Sequence, residues 1–338
     1  MKVEERITAF HQLGKELDAL PDDTFQSLAA SAKNENPWFT IDSVRMAVRG
    51  ITSWLDAGKL LAFTAQYNTD VPSRTVAIVM AGNIPLVGFH DFFCVLMAGH
   101  TVMIRTSSKD SVLIRHVVNT LIRLEPRFED KIIFADQLKG FDAVIATGSD
   151  NTSRYFEYYF GKYKHIIRRN RTSVAVINGT ETNDELLTLG TDVFSYFGLG
   201  CRNVGKVFLP NGYAPQQLLA AWEPYHDIIH HHKYCNNYDY QKSILLIGQV
   251  PFLDNNFVML QQHDNLFSPL SVLYYEYYND DDALAQKLLK VEGKIQCIVS
   301  REGEIKFGRS QFPSLNDYAD KIDTMAFLTR LEQIKIDR

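Results

Sequence analysis

A chain of 338 residues, 46% apolar and 22% charged, has room for two packed domains and the composition of an ordinary globular protein. Its formal charge of −5 gives no electrostatic reason to expect nucleic acid or an anionic membrane as a partner, and its apolar runs are too short to cross a bilayer. The cysteines, Cys94, Cys201, Cys235 and Cys297, are scattered, and the opening Met1-Lys-Val-Glu-Glu5 is unlike a signal peptide, so reduced thiols in a cytoplasmic protein are expected.

Ile7, Phe10, Leu13, Leu17 and Leu20 recur three or four residues apart, one face of a helix that Pro21 stops. Residues 34–37 read as a linker and 39–65 as one or two long helices. From residue 75 the pattern becomes strand, loop, helix. Strands are predicted at 75–80, 101–105, 132–134 and 143–146, and helices at 86–98, about 110–124 and 152–160. Pro85 suits the first turn of the first of these helices, and Thr106-Ser-Ser108 offers a cap for the second. The unbroken apolar run at 75–80 is a strand buried on both faces, as in a parallel sheet covered by helices.

Ligands of such sheets bind beyond the C-terminal strand ends. Asn83, Arg105, Thr106, Ser107, Thr147, Gly148 and Ser149 all fall there, and Thr147-Gly-Ser-Asp150 presents backbone N–H groups at a helix start to a phosphate. Ordinary loop capping competes with that reading, most strongly at Ser107 and Ser108. No G-x-G-x-x-G follows the first strand, so a dinucleotide would need another geometry. The basic run 168–171 is a further place for an anionic cofactor.

Strands at 165–167 and 173–177 precede a capped helical stretch at 181–197, which ends at Cys201. Gly198, Gly200 and Gly205 flank that thiol, and a buried strand, 207–209, follows. Two readings fit: a small buried hydrophobe, or a nucleophile on a tight turn whose backbone N–H groups stabilise a thiolate or a carbonyl oxygen. Beyond it are predicted a helix at 214–229, strands at 243–247, 257–260 and 295–299, a β-prone aromatic segment at 271–278 and a helix at 280–289. Cys94 and Cys297 lie inside a helix and a strand and read as structural. His230-His-His232 with Cys235 lacks the second ligand pair of zinc spacings, so no metal is expected.

Several pieces, in order, match one arrangement. Ala81-Gly-Asn-Ile-Pro-Leu86, Ala98-Gly-His-Thr-Val-Met-Ile-Arg105, Ala146-Thr-Gly-Ser149, Phe197-Gly-Leu-Gly-Cys201 and the tail from Phe307 to Thr324 resemble the acyl-CoA reductase (LuxC-like fatty-acid reductase) family of the aldehyde dehydrogenase superfamily. The resemblance implies an α/β fold with a Rossmann-type cofactor domain and a second α/β catalytic domain. The expected division is an N-terminal helical segment at 1–72, a cofactor domain at 73–170, a catalytic domain at 171–310 and a returning tail at 311–338. It implies Cys201 as nucleophile, Asn83 as oxyanion donor, and Arg105, Thr106, Ser107, Thr147, Gly148 and Ser149 toward the cofactor.

Two departures bear on the chemistry. Hydrolytic aldehyde dehydrogenases carry a water-activating glutamate where this chain has residues 168–173, with no carboxylate. The usual Glu-x-Phe-Gly-Pro segment is here Asn265-Leu-Phe-Ser-Pro269. The resemblance therefore implies NADPH-dependent reduction (NADH possible) of an acyl-CoA to the aldehyde through acyl-Cys201. The alternatives are a CoA-acylating aldehyde dehydrogenase working oxidatively and a non-catalytic partner subunit. A homodimer is possible, and His263 is the nearest candidate for a general base.

Overall fold

The structure, a computed structural model, describes residues 1–148 and 150–332. The chain forms two compact units, one from Met1–Asn170 with the return from Ser314, the other Arg171–Pro313.

The first unit opens with α1 (Val3–Asp18), α2 (Asp22–Glu35), α3 (Ile41–Trp54) and α4 (Ala57–Thr64). Thr40 caps α3 by accepting from the Ser43 N–H, and Asp56 caps α4 from Gly58 and Lys59. Next come β1 (Thr75–Val79), α5 (Phe89–Met97), β2 (Thr101–Arg105), α6 (Val112–Leu124), β3 (Ile132–Phe134), β4 (Ala143–Thr147), α7 (Asp150–Phe160) and β5 (Lys164–Arg168). Among the described residues these strands make one parallel sheet in the order β3-β2-β1-β4-β5. α5 is buried on nearly every side, and apart from His90 and Asp91 its residues are apolar. Its Phe93 meets Phe10 of α1 edge-on at 5.0 Å, and Phe10 in turn meets Phe128 at 5.8 Å. Each such pair adds about 1 kcal/mol to what the buried area gives.

In the second unit, β6 (Thr172–Val176), α8 (Asn183–Phe194), β7 (Val204–Pro210), α9 (Gln216–Ala221), α10 (His232–Ile247), β8 (Leu253–Asp254), β9 (Met259–Gln262), β10 (Val272–Tyr278), α11 (Asp281–Val291) and β11 (Ile295–Ser300) follow. The described strands order as β11-β6-β7-β10-β9-β8, parallel except for the β8–β9 pair. Ala175, Val207, Leu209, Leu273 and Val299 pack with Leu186, Leu189 and Trp222, whose indole donates to the Leu186 carbonyl at 2.8 Å.

α12 (Thr324–Thr329) lies in the returning segment of the first unit. Buried Arg168 holds that segment: it pairs with Asp91 and donates to Thr324 Oγ1 at 3.0 Å and to the Ala319 carbonyl at 2.6 Å. Tyr67 donates to Asp323 at 3.0 Å and bonds the Tyr318 hydroxyl at 2.8 Å. The basic run at 168–171 thus spends Arg168 on an internal ion pair, and Arg169 pairs with Glu157. It is not a free cationic patch for a cofactor.

Several predicted elements shift. The strand predicted at 243–247 is the last turn of α10, where Ile244, Leu246 and Ile247 are exposed and only Leu245 is buried. A short apolar run cannot be told from a strand by periodicity. α2 occupies the stretch left blank after Pro21, and it ends inside the supposed linker. The helix predicted at 86–98 begins at Phe89, because Leu86 takes a left-handed φ of 57° that no helix accepts. Among the described residues no helix is long and apolar enough to cross a membrane.

Candidate active site

The first unit gathers its chemical residues along one edge. β1 lies between β2 and β4, with Val79 in register with Arg105 on one side and Ala146 on the other. The loop bearing Asn83, the Arg105-Thr-Ser107 segment and the Thr147-Gly148 segment therefore leave neighbouring strand ends about 5 Å apart. The chain changes sides of the sheet between β3 and β4, which makes this edge a switch point where ligands of parallel sheets bind. Asn83 and Arg105 are exposed there, and Thr106, Ser107, Thr147 and Gly148 are partly exposed. Ser149 lies outside the described residues. Gly148 precedes α7 at a spacing that brings the helix N-terminus to the edge.

The Asn83 loop is pinned at both ends by residues that sequence reasoning passed over. Asn36, just beyond α2 and buried, donates to the Gly82 carbonyl at 2.9 Å. Asp110, also buried, accepts the Leu86 N–H at 2.7 Å. Thr106-Ser-Ser108 do not cap α6. That helix starts at Val112, and Glu35 caps it from α2, accepting from the N–H groups of Ser111 at 2.7 Å and Val112 at 3.0 Å. Ser107 instead turns back on its own loop, accepting from the Lys109 N–H at 3.2 Å.

Burial pushes the Asp110 carboxyl up to about 7, with the Leu86 hydrogen bond opposing and the charge of Glu35 adding to the rise. The native state then binds a proton below about pH 7 that the unfolded chain binds only below about pH 4. This group's contribution to stability is therefore lost as the pH rises through that window. Asp110→Asn keeps the acceptor for Leu86 and removes the buried charge. It is expected to raise stability by about 1.5 kcal/mol at pH 5 and by up to about 4 kcal/mol at pH 8 if the whole shift is recovered. Urea unfolding of both proteins at the two pH values checks this, and a variant no more stable than wild type at pH 8 contradicts it.

Cys201 belongs to the second unit and sits on the turn between α8 and β7. The four cysteines form no disulfide, and Cys201 is partly exposed whereas Cys94 and Cys297 are buried. α8 opens on a capping box in which Thr182 and Glu185 exchange side-chain and backbone bonds at 2.8 and 3.3 Å. It stops abruptly: Tyr196, Phe197 and Gly198 take φ values of 50°, 59° and 80°. Glycine adopts this conformation freely, but the two aromatic residues cost about 1–2 kcal/mol each.

Asn203 offsets that strain. Its buried amide donates to the carbonyls of Asp192 (3.1 Å), Val193 (3.3 Å) and Ser195 (2.7 Å), the orphan acceptors of the helix end, and its oxygen accepts the Gly200 N–H at 2.8 Å. Buried Ser173 on β6 donates to the Cys201 carbonyl at 3.0 Å and lies 3.0 Å from the Cys297 sulfur. Asp192, wholly buried, accepts the N–H groups of Gly308 (2.6 Å) and Ser310 (2.8 Å), while Arg202 donates to the Ser310 carbonyl at 3.2 Å. The tail motif Phe307-Gly-Arg-Ser310 is thereby a strap under the thiol's turn.

The neighbouring segment is also fixed from within. Lys206, buried on β7, donates to the carbonyls of His263 (3.0 Å), Asp264 (2.9 Å) and Asn265 (3.2 Å) and pairs with Glu276 at 2.6 Å. His263 accepts the Asn265 N–H at 2.9 Å and stacks on Tyr274 at 4.5 Å, so its ring serves the turn and does not stand out as a base. His231 packs on Phe197 at 4.4 Å. Among the described residues no group of three metal-ligating side chains converges.

The family model of acyl-CoA reductase (LuxC) matches residues 42–216, just over half the chain and including both the Asn83 loop and the Cys201 turn. The chain belongs to the acyl-CoA reductase (LuxC) family. No curated protein matches this LuxC-family chain.

Solved structures share its fold. Aldehyde dehydrogenase 21 from Physcomitrella patens, in complex with the reaction product succinate, matches with a TM-score of 0.66 at 11% identity, over 98% of this chain and 84% of that one. A Mycobacterium tuberculosis aldehyde dehydrogenase complexed with NAD+ matches with a TM-score of 0.62 at 12% identity, over 90% and 79%. Proline utilization A from Corynebacterium freiburgense matches with a TM-score of 0.61 at 13% identity, over 90% of this chain but only 38% of that longer one. The fold is thus that of the aldehyde dehydrogenase superfamily, a Rossmann-like region plus a second α/β domain.

The same structures correct the expected direction of reaction. An NADPH-dependent, aldehyde-forming acyl-CoA reductase was the reading drawn from the LuxC-like motifs. Two of these matching structures are aldehyde dehydrogenases, one complexed with NAD+ and one with the reaction product succinate. The motifs place a thiol and an amide, which are needed in either direction, and so carry no information on which way hydride moves. Reduction of an acyl-CoA is not retained.

Proposed function

We propose that the protein oxidises an aldehyde and passes the acyl group to coenzyme A, using a nicotinamide dinucleotide and Cys201. The observation that carries the reading is the Cys201 turn: a partly exposed thiol on a strained, internally braced turn at the head of a central strand. The thiolate adds to the aldehyde carbon to give a thiohemiacetal. Its oxyanion is held by the Cys201 backbone N–H and by the role kept for Asn83, where one donor is worth about 3 kcal/mol in the transition state. The dinucleotide, when bound, accepts the hydride that leaves this carbon, and an acyl thioester remains on Cys201.

The acceptor of the acyl group follows from what stands at 168–173. Arg168 is locked to Asp91, and Thr172 and Ser173 are buried, so no carboxylate there activates water. The thiol of coenzyme A takes the acyl group instead, restoring the Cys201 thiolate and releasing a proton. The exposed edge formed by Arg105, Thr106, Thr147 and Gly148, with the N-terminus of α7, suits the phosphates and ribose of NAD+ or NADP+. Ser107 and Ser149 belong to the same proposed cofactor group.

The test is a set of progress curves at 340 nm with a panel of aldehydes and each dinucleotide, with and without coenzyme A. One equivalent of reduced cofactor per enzyme without coenzyme A, and steady turnover with it, is the expected result. Turnover as fast in water alone would replace acyl transfer by hydrolysis, and no reduced cofactor with any aldehyde would remove the activity altogether.

A further inference from the structure

Arg6, in the first turn of α1, is only 6% exposed, yet among the described residues its guanidinium has no carboxylate partner. One terminal nitrogen donates to the Met1 carbonyl at 3.2 Å, and Nε is buried with no acceptor. A buried charge is normally paired, and an unpaired cation near the positive end of a helix is disfavoured twice over. The residue before the helix, Lys2, supplies no side-chain acceptor to the first turn either. Among the described residues Arg6 Nε thus has no acceptor, and the other two guanidinium nitrogens have only the Met1 carbonyl between them.

These donors line a half-open pocket of about 540 Å³. Lys131 stands on its wall beside Ser73, with Nζ donating to the hydroxyl at 3.1 Å. Gly99, at a φ of 90°, forms the floor under Arg6, because a Cβ there would lie 2.4 Å from a guanidinium nitrogen. Leu96 and Phe128 give the pocket an apolar side. His100 contributes no donor: one ring nitrogen accepts the Arg74 N–H at 3.2 Å and the other bonds the Leu328 carbonyl at 3.0 Å. Glu4 and Asp70 also line the pocket, both exposed to solvent, against Arg6, Lys131 and Lys2. Ser73, Gly99 and Lys131 precede β1, β2 and β3, so the pocket lies at the N-terminal strand ends, away from the Asn83 edge.

We propose that this pocket binds a phosphate monoester, its oxygens on Arg6 and Lys131 and its organic body against Leu96 and Phe128. A guanidinium edge and an ammonium together serve three oxygens, which a phosphate offers and a carboxylate does not. The site is independent of the aldehyde chemistry, and its test uses no catalytic readout.

Isothermal titration calorimetry of the full chain with phenyl phosphate, inorganic phosphate and benzoate decides the matter. Phenyl phosphate is expected to bind more tightly than inorganic phosphate, and benzoate about tenfold more weakly than phenyl phosphate. Lys131→Ala, at a partly exposed position, is expected to weaken phenyl phosphate about tenfold, and Arg6→Gln to abolish binding. Should Arg6→Gln fold poorly, Lys131→Ala carries the comparison by itself. No binding up to about 10 mM, which would leave Arg6 to water, overturns the proposal. So does affinity unchanged in Lys131→Ala, or displacement of phenyl phosphate by NAD+.

Discussion

Cys201→Ala is expected to lose aldehyde-dependent formation of reduced cofactor by about 10⁴-fold or more in kcat/KM, with the single-turnover burst gone as well. The argument is chemical: without a nucleophile, hydride would have to leave a free aldehyde hydrate, which neither the turn nor the strand edge activates. The thiol is partly exposed, and Ser173 braces the turn through the Cys201 backbone carbonyl. Little stability should be lost with it, so the melting temperature is expected to stay within a few degrees of wild type. Intact-protein mass spectrometry after mixing with aldehyde and cofactor gives the second arm: wild type gains the acyl mass and the variant does not. A variant retaining more than about a hundredth of the wild-type rate would show that Cys201 is not the nucleophile.

Asn203→Ala is expected to be the most damaging change in the site that leaves every reacting group in place. It strips three carbonyls and one N–H of their partner at a buried helix end, beside two non-glycine residues held at positive φ. Buried groups left unsatisfied cost about 1 kcal/mol or more each, so a loss of about 3–4 kcal/mol in urea unfolding is expected. Activity should fall by more than stability explains, because the relaxed turn carries the Cys201 N–H and sulfur with it. Asn203→Asp separates the contributions. Its carboxylate still accepts from Gly200 but cannot donate to the three carbonyls, and the variant should resemble alanine rather than wild type. A fully stable Asn203→Ala enzyme would show that the turn holds itself.

Most strands of the two sheets, β8 excepted, and the bend before Cys201 were legible because their signals are local. The apolar run at Val76 to Ile78 sits in a repeating strand–loop–helix pattern that marks it as a buried strand, and glycines around one cysteine mark a place where the backbone bends hard. What braces the turn was not legible. Asn203, Asp192 and Ser173 are polar residues in or beside loops, indistinguishable in sequence from solvated ones, and their value appears only when distant segments meet them. The same holds for Asn36 and Asp110 behind the Asn83 loop, and for Glu35, which caps a helix 77 residues away in sequence. Lys206 was equally illegible: a lysine beside a predicted strand carries no local mark of burial, and here it is the pin of a turn. The exposed apolar end of α10 was read as a strand for want of any local mark of helix. The direction of reaction was beyond reach for a different reason: a catalyst lowers the barrier equally both ways, and nothing in its covalent apparatus records which substrate arrives first.

The strap from Gly308 and Ser310 to Asp192 has a consequence for how the protein is made. Translation proceeds from the N-terminus, so the cysteine emerges more than a hundred residues before the segment that closes the underside of its turn. Until that segment arrives, Asp192 is a carboxylate facing an apolar interior with neither of its backbone donors. The nascent chain therefore carries the Cys201 thiol on an unset turn while more than a hundred further residues are made, and the turn is closed only after them.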